Sequence, residues 1–342
     1  MREPRAVVIG YGFAGRSFHS YLIGITPGLR LHGVASRDAA TRARIVAERS
    51  CRAYASFDAV LDDPEVDLVV LATPNSTHCA LAIQALHAGK HVVTDKVMCL
   101  TLDECDRMIA AAAESGKLLS VFQNRRWDGD FLTLKSLIAD GRLGEPRWIE
   151  MAWQGFGAWG GWRGQAAMGG GKLYDLGAHL IDQLVLLFPQ PIARVYCRLH
   201  HDLAVTDTES QAMVVIEFAG GATAVCDTSS LAAIQKPRIH AFGTGGTFIK
   251  YGVDPQEAAM IAGRIDEAAE DPARYGRYSD GKTETAVPTL PGRWRTYYEN
   301  IRDVLTGAAQ PLVTLAEVRR AIAVLDAAFQ SARAGRVVEV NR

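Results

Sequence analysis

Two kinds of apolar pattern divide the chain. In the first third, short unbroken runs alternate with segments whose apolar residues recur every three or four positions. Val7-Val8-Ile9 and Leu68-Val69-Val70-Leu71-Ala72 contain no polar side chain, the mark of parallel strands covered on both faces. Residues 29–36, 90–94 and 118–122 read as further strands, and residues 38–49, 56–61 and roughly 77–89 as helices. Thr101-x-x-Glu104 is a capping box, whose side chains can accept N–H groups left open at a helix start. The helix it opens carries the stripe Leu102, Cys105, Ile109 and Ala112. Repeated strand–helix units of this length predict a doubly wound parallel sheet.

Beyond Gln123 the pattern changes. A helix with Phe131, Leu134, Leu137 and Ile138 on one stripe leads to Gly144-Glu145-Pro146. Strand candidates then follow at residues 147–153, 194–199, 210–218, 223–228, 238–242 and 247–250, with Gly220-Gly221 and Gly245-Gly246 as turns. That series predicts an α+β domain with a large, mainly antiparallel sheet. Late helices are expected at residues 294–305 and 315–329, the second opened by Thr314-x-x-Glu317. The polar stretch at about 265–285 shows no period and reads as an unordered loop. A chain of 342 residues is long for one core, and the expected division is 1–123 and 124–342.

One helix in the second half is unusual. Over residues 173–188, Leu176, Leu180, Ile181, Leu184, Val185, Leu187 and Phe188 cover most of the circumference, while Asp175, His179, Asp182 and Gln183 share a narrow arc. A solvent-facing stripe would carry Lys, Glu or Arg, and this one carries none. The arc therefore reads as a cleft wall. Asp175 and His179 stand four apart, so the carboxylate can orient the imidazole and raise its basicity.

At the other end, Val7-Val8-Ile9 runs into Gly10-Tyr11-Gly12-Phe13-Ala14-Gly15. Strand, Gly-x-Gly-x-x-Gly and helix in that order form a dinucleotide fingerprint, with the helix N-terminus facing the pyrophosphate. The N-terminal sheet is thus expected to be a Rossmann domain. About 20 residues on, an NAD site usually places an acid for the ribose 2′-hydroxyl. Here Ser36 and Arg37 stand at that point, and a guanidinium suits a 2′-phosphate. Asp38 follows, either as that acid or as a helix cap. The reading favours NADP, with NAD as the alternative.

Composition narrows the classes. A net charge of -1 gives no electrostatic case for nucleic acid or anionic membranes. The apolar runs are strand-sized, so no membrane segment is expected. Six cysteines without a Cys-x-x-Cys pair or His/Cys cluster read as reduced thiols of a cytoplasmic protein, and no metal site is expected.

The fingerprint, Ala72-Thr73-Pro74-Asn75 with His78, Ala88-Gly89-Lys90-His91-Val92 leading to Asp95-Lys96, and Asp175-x-x-x-His179 follow in order. Together they resemble the glucose–fructose oxidoreductase/inositol dehydrogenase (Gfo/Idh/MocA) family over almost the whole chain. Residues 120–128 and 251–257 look most like the branch containing NADP-dependent scyllo-inositol dehydrogenase. The resemblance implies a sugar or cyclitol substrate and a homodimer or homotetramer joined through the C-terminal sheets. It implies a catalytic set of Lys96, Asp175 and His179. Cofactor contacts are expected at Gly10, Gly12, Phe13, Ala14, Gly15, Ser36, Arg37, Thr73, Pro74, Asn75, His78, Asp95, Lys96, Asn124, Trp162 and Arg163. Substrate contacts are expected at Lys96, Asn124, Phe156, Trp159, Asp175, His179 and Tyr297, the aromatics as a stacking wall.

One departure stands out. The family pattern is Glu-Lys-Pro, and this chain has Asp95-Lys96-Val97. Without proline the Lys96–Val97 peptide is expected to be trans, with an added N–H that needs a partner. The expected activity is an oxidoreductase moving a hydride between nicotinamide and a carbinol or keto carbon. His179 would act as acid/base and Lys96 would stabilise alkoxide charge. A redox-neutral glycoside-cleaving enzyme with bound NAD(P), or a non-catalytic sugar or dinucleotide sensor, are the alternatives.

Overall fold

The computed structural model describes residues 2–340. The first sheet consists of β1 (Arg5–Ile9), β2 (Arg30–Ala35), β3 (Arg52–Tyr54), β4 (Leu68–Leu71), β5 (His91–Thr94) and β6 (Leu119–Val121). Their order is β3-β2-β1-β4-β5-β6 and every pairing is parallel. β4 is buried at all four positions, as its unbroken apolar run requires. The chain proceeds outward from β1 through β2 to β3, then returns to β4 on the other side of β1. The carboxyl ends of β1 and β4 therefore flank a topological switch point, where open α/β sheets bind ligands.

The helix starts follow local chemistry. Asp38 Oδ2 accepts from Thr41 N at 2.7 Å and caps Ala39–Arg49. Thr101 Oγ1 accepts from Glu104 N at 3.1 Å to cap Leu102–Ser115, while the Glu104 carboxylate reaches one residue further back, to Leu100 N at 2.8 Å. At Thr314 and Glu317 the exchange is reciprocal, at 3.3 and 3.2 Å.

The second sheet consists of β7 (Pro146–Gln154), β8 (Ile192–His200), β9 (Gln211–Phe218), β10 (Thr223–Ser229), β11 (Ile239–Gly243), β12 (Thr247–Lys250), β13 (Gly276–Ser279), β14 (Glu284–Val287) and β15 (Val338–Glu339). Its order is β14-β13-β12-β11-β7-β10-β9-β8-β15, antiparallel except between β7 and β10. β9 alternates cleanly, with Ala212, Val214, Ile216 and Phe218 buried. The helix Ala178–Leu187 packs on β7 and β10. β13 and β14 lie within or beside the stretch expected to be unordered: each is four residues long, at or next to the sheet edge, and pairs through backbone rather than an apolar stripe. β3 and β15 are likewise too short to leave a pattern.

The chain separates into two compact units. The first runs through Gln123 and includes Met260–Gly263 and Trp294–Val318; the second holds Asn124–Ala259, Arg264–Arg293 and the chain from Arg319. The helix Arg295–Leu305 thus groups with the parallel sheet, not with the second half as expected. Trp294, Tyr297, Tyr298 and Ile301 are its buried face, and the Trp294 ring stacks on Phe18 at 5.7 Å. All six cysteines are free and five are buried. Among the described residues no helix is long and apolar enough to cross a membrane.

Candidate active site

β1 ends in a turn that only glycine fits. Gly10 has φ +98° and donates to Ala35 O at 3.0 Å, and a Cβ there would lie 2.5 Å from Ala72 O. A Cβ on Gly15 would lie 2.1 Å from Gly10 O, so the third glycine lets helix and strand meet. Gly12 faces open space, with nothing within 4 Å of its Cβ position, which is the side from which a pyrophosphate can approach the backbone. The helix starts as a wide turn, Ala14–His19, before Ser20–Gly24, and Phe13 is half exposed at 49%. These residues fit a dinucleotide.

At the end of β2, Arg37 is exposed. Asp38 is committed to its helix cap, and its bonds to Thr41 hold its carboxyl below the usual range. Arg42 Nη1 donates to Ser36 O at 2.9 Å and to Arg37 O at 2.8 Å, fixing the backbone that presents the Ser36 and Arg37 side chains. Arg42 was not foreseen; its place four residues past a helix cap on the side facing β2 was the available signal.

After β4, Thr73, Pro74 and Asn75 lead into the helix His78–His87. His78 is fully buried, with Nδ1 2.8 Å from Val97 O and Nε2 3.0 Å from Thr73 O. Burial pushes its pKa down against the pull of those carbonyls and Asp95. The imidazole therefore ties two loops together, and no face of it is open to a cofactor. After β5, Asp95 Oδ1 accepts from Lys96 N at 2.7 Å and Oδ2 lies 3.6 Å from His19 Nε2. His19 Nδ1 in turn lies 2.6 Å from Tyr298 Oη. Burial alone would raise the Asp95 carboxyl, but His19, Lys96 and His78 bring it to about 2. The Lys96–Val97 peptide is cis, not trans as expected. Val97, Met98 and Cys99 are each 1% exposed, and the Val97 carbonyl lies 2.8 Å from His78 Nδ1.

In the second unit, Leu173–Gly177 is a wide turn that continues into Ala178–Leu187. Asp175, His179, Asp182 and Gln183 are all buried, so the arc is lined by protein rather than bulk solvent. Asp175 Oδ2 accepts from Arg163 Nε at 3.1 Å, and the same guanidinium lies 4.8 Å from the Trp162 ring. The His179 ring stacks on Trp153 at 6.1 Å. Trp153 also meets the guanidinium of Arg125 at 4.4 Å and that of Arg238 at 4.7 Å. Arg126 grips Asp182 with Nε at 2.8 Å and Nη2 at 2.7 Å, and Gln183 Nε2 donates to Arg125 O at 2.6 Å. Sequence reading missed Arg125, Arg126, Trp153 and Arg238. Two adjacent arginines ahead of a helix with buried acids and no basic partner of its own was the signal.

The remaining expected contacts separate. Asn124 is buried at 2% and Phe156 is 77% exposed. Trp159 is partly buried. Tyr297 does not form part of a stacking wall: it lies in the first unit, 1% exposed, with Oη donating to Ser120 Oγ at 2.9 Å and its ring edge-on to Phe122 and Tyr298. His32, Asp63 and Glu65 come together as a group that could hold a metal ion, but Arg52 and Tyr54 already occupy Asp63 at 2.6 and 2.7 Å and Arg5 pairs with Glu65.

An oxidoreductase family model with an NAD-binding Rossmann fold matches residues 4–123, and the Gfo/Idh/MocA C-terminal domain matches residues 131–249. The chain is 35% identical to the uncharacterized oxidoreductase YdgJ of Escherichia coli, covering 96% of each. It is 33% identical to the scyllo-inositol 2-dehydrogenase (NADP(+)) IolW of Bacillus subtilis, covering 97% of this chain and 94% of that one. The solved structure of the Bacillus subtilis putative oxidoreductase YvaA superposes with a TM-score of 0.92 at 29% identity, covering 99% of both chains.

Proposed function

The chain belongs to the Gfo/Idh/MocA oxidoreductase family, and from that premise we propose that this NAD(P)-dependent dehydrogenase acts on a carbinol or keto carbon of a sugar, sugar derivative or cyclitol. The observation that carries the reading is the polar arc: Asp175 held by Arg163 at 3.1 Å and His179 stacked on Trp153. A buried imidazole four residues along the chain from a fixed carboxylate is suited to take and return a proton near neutral pH. The name of IolW, an NADP-linked inositol dehydrogenase, supports the substrate class.

The nicotinamide supplies the acceptor or donor of the hydride. Every other part of the task falls to side chains. His179 takes the proton from the carbinol oxygen in oxidation and returns it in reduction. Asp175 orients the imidazole and stabilises its charged form. Lys96, at the carboxyl end of β5, stabilises negative charge on the reacting oxygen. Gly10, Gly12 and Gly15 admit the pyrophosphate, and Ser36 with Arg37 bind a 2′-phosphate, so NADP is preferred to NAD. The chain associates as a dimer or tetramer through its nine-stranded sheet. The test is a screen of hexoses, pentoses, cyclitols and their keto forms with both cofactors, read by the absorbance of the reduced nicotinamide. Turnover restricted to non-hydroxylated carbonyl compounds would overturn the substrate class.

A further inference from the structure

Lys172 has no part in the chemistry described above, yet it is only 5% exposed and stands three residues before Asp175, at the start of the wide turn. Its Nζ lies 3.3 Å from the centroid of the Trp159 ring, a cation–π contact that gains strength out of water. Trp159 belongs to a loosely packed segment. Five of the ten residues 155–164 are glycine, none of the ten is buried, and a Cβ on Gly155, Gly157, Gly160 or Gly161 would meet nothing within 4 Å. Such a stretch has high backbone freedom, so the few contacts it makes set its position. Its base is tied by Gly155 N and Gly157 N, which donate to Ser229 O and Ser230 O at 2.9 Å each. Its far end is tied by Gly171 N, which donates to Arg163 O at 2.9 Å, and there Arg163 Nε reaches Asp175 Oδ2 at 3.1 Å. Trp159 stands between these ties and packs on the second: a Cβ on Gly164 would lie 2.7 Å from Trp159 O. Residues 159–164 and 171–175 are thus joined by Lys172 on Trp159, Gly171 on Arg163, and Arg163 on Asp175.

We propose that Lys172 is a positioning residue: by holding the Trp159 ring it fixes the segment 155–163, and through it the Arg163 guanidinium on Asp175. Only the ammonium makes the contact in full, because the ring face attracts a cation and a neutral amine is none. The hold therefore follows the charge on Lys172. The ionisable groups that face it are Asp175 on its own turn and Glu209 ahead of β9; His201 lies beyond Glu209, and Arg163 is bonded to Asp175. Both carboxylates pull the Lys172 pKa up, but burial outweighs them and brings it down to about 8. Below that value the ammonium holds Trp159. Above it the contact weakens, the segment loosens, and Arg163 spends less time on Asp175.

The inference rests on the dehydrogenase reading for the role of Asp175, and the test separates the two. The first readout is chymotryptic cleavage after Trp162, followed by mass spectrometry from pH 6.5 to 9.5 and normalised to cleavage of unfolded casein at each pH. For wild type the rate should rise at least about fivefold with a midpoint near pH 8. Lys172→Met and Trp159→Leu should be cut fast at pH 7 already and show no rise, while Trp159→Phe, which keeps an aromatic face, should keep it. A flat wild-type profile, loss of the rise in Trp159→Phe, or a rise that survives in Lys172→Met overturns the proposal, the last pointing to Glu209 instead. Cleavage throughout the chain in Lys172→Met, rather than within residues 156–162, also overturns it, since Lys172 would then support the fold. The second readout is turnover. Lys172→Met should lower kcat about tenfold, and Lys172→Met/Arg163→Ala should be no slower than Arg163→Ala alone; additive losses would show that Lys172 does not act through Arg163. If no sugar is turned over, the dehydrogenase reading fails, and the cleavage profile still decides whether Lys172 holds the segment.

Discussion

If Arg37 reads a 2′-phosphate, as proposed, removing its guanidinium should weaken NADPH binding and spare NADH. Arg37 is exposed at the end of β2, so the proposed contact with a 2′-phosphate would be bathed in solvent and would belong at the lower end of the range for hydrogen bonds to charged groups, about 1.5 kcal/mol. At about 1.4 kcal/mol per tenfold change, Arg37→Ala should raise the Kd for NADPH roughly tenfold. NADH carries a neutral 2′-hydroxyl in place of that phosphate and should bind within about twofold of wild type. The backbone will not collapse, because Arg42 Nη1 holds the Ser36 and Arg37 carbonyls independently of the deleted side chain. Fluorescence titration of both reduced cofactors, at two salt concentrations, is the assay. Salt should weaken NADPH binding to wild type more than to the variant. Equal loss of NADPH and NADH affinity would refute the reasoning, since it would mean that Arg37 supports the turn rather than reads the phosphate.

Other outcomes test the acid/base unit and its supports. If Asp175 and His179 act together, the double alanine variant should be barely slower than His179→Ala alone; additive losses in kcat would separate them. Lys96→Met should lower kcat by orders of magnitude while leaving NADPH affinity within a few-fold; turnover at the wild-type rate would remove Lys96 from the mechanism. The Asp95 carboxyl, at about 2 in the folded protein against 3.8 unfolded, contributes stability that is complete above about pH 4 and is lost as pH falls toward 2, about 2 kcal/mol in all. Urea midpoints measured from pH 5 to pH 2 should therefore fall less steeply in Asp95→Asn than in wild type; parallel curves would contradict the assignment. Arg126→Ala should cost about 3–5 kcal/mol by leaving a buried carboxylate without its guanidinium, read by denaturant unfolding, and an Arg126→Met/Asp182→Leu pair should recover most of it; a double variant no more stable than Arg126→Ala would show that the pair does more than satisfy its own charges.

What sequence could show depended on whether a pattern has one structural meaning. β4 was legible because four buried apolar residues in a row have few homes other than a parallel strand, and the glycine turn because Gly10 and Gly15 each sit where a Cβ would strike backbone. Asp38 had two readings, and only the Thr41 bond chose the cap. The wide turns at Ala14–His19 and Leu173–Gly177 were invisible, since one extra residue per turn hardly alters an apolar stripe that already runs most of the way round. Tyr297 was misplaced because an aromatic on a helix has the same spacing whether it meets a ligand or Phe122. Lys96–Val97 was misread because a non-proline residue at the bond signals trans, whereas the bond is cis.

The supports of the polar arc show why such a site needs more than its reacting groups. A helix as apolar as Ala178–Leu187 could turn about its axis with little penalty if packing alone held it, and a small rotation would carry His179 out of line. Arg126 removes that freedom, since a two-bond grip on Asp182 fixes direction as well as distance. Gln183 adds a second anchor one residue on, at Arg125 O. Trp153 then fixes the imidazole plane, and the guanidiniums of Arg125 and Arg238 hold the indole in turn. Arg125 is thus common to both supports, its carbonyl anchoring Gln183 and its guanidinium lying against Trp153. The cost of burying the Arg126 guanidinium is met by pairing it with Asp182 on the helix it aligns, which gives Asp182 a place on the arc beside Asp175 and His179.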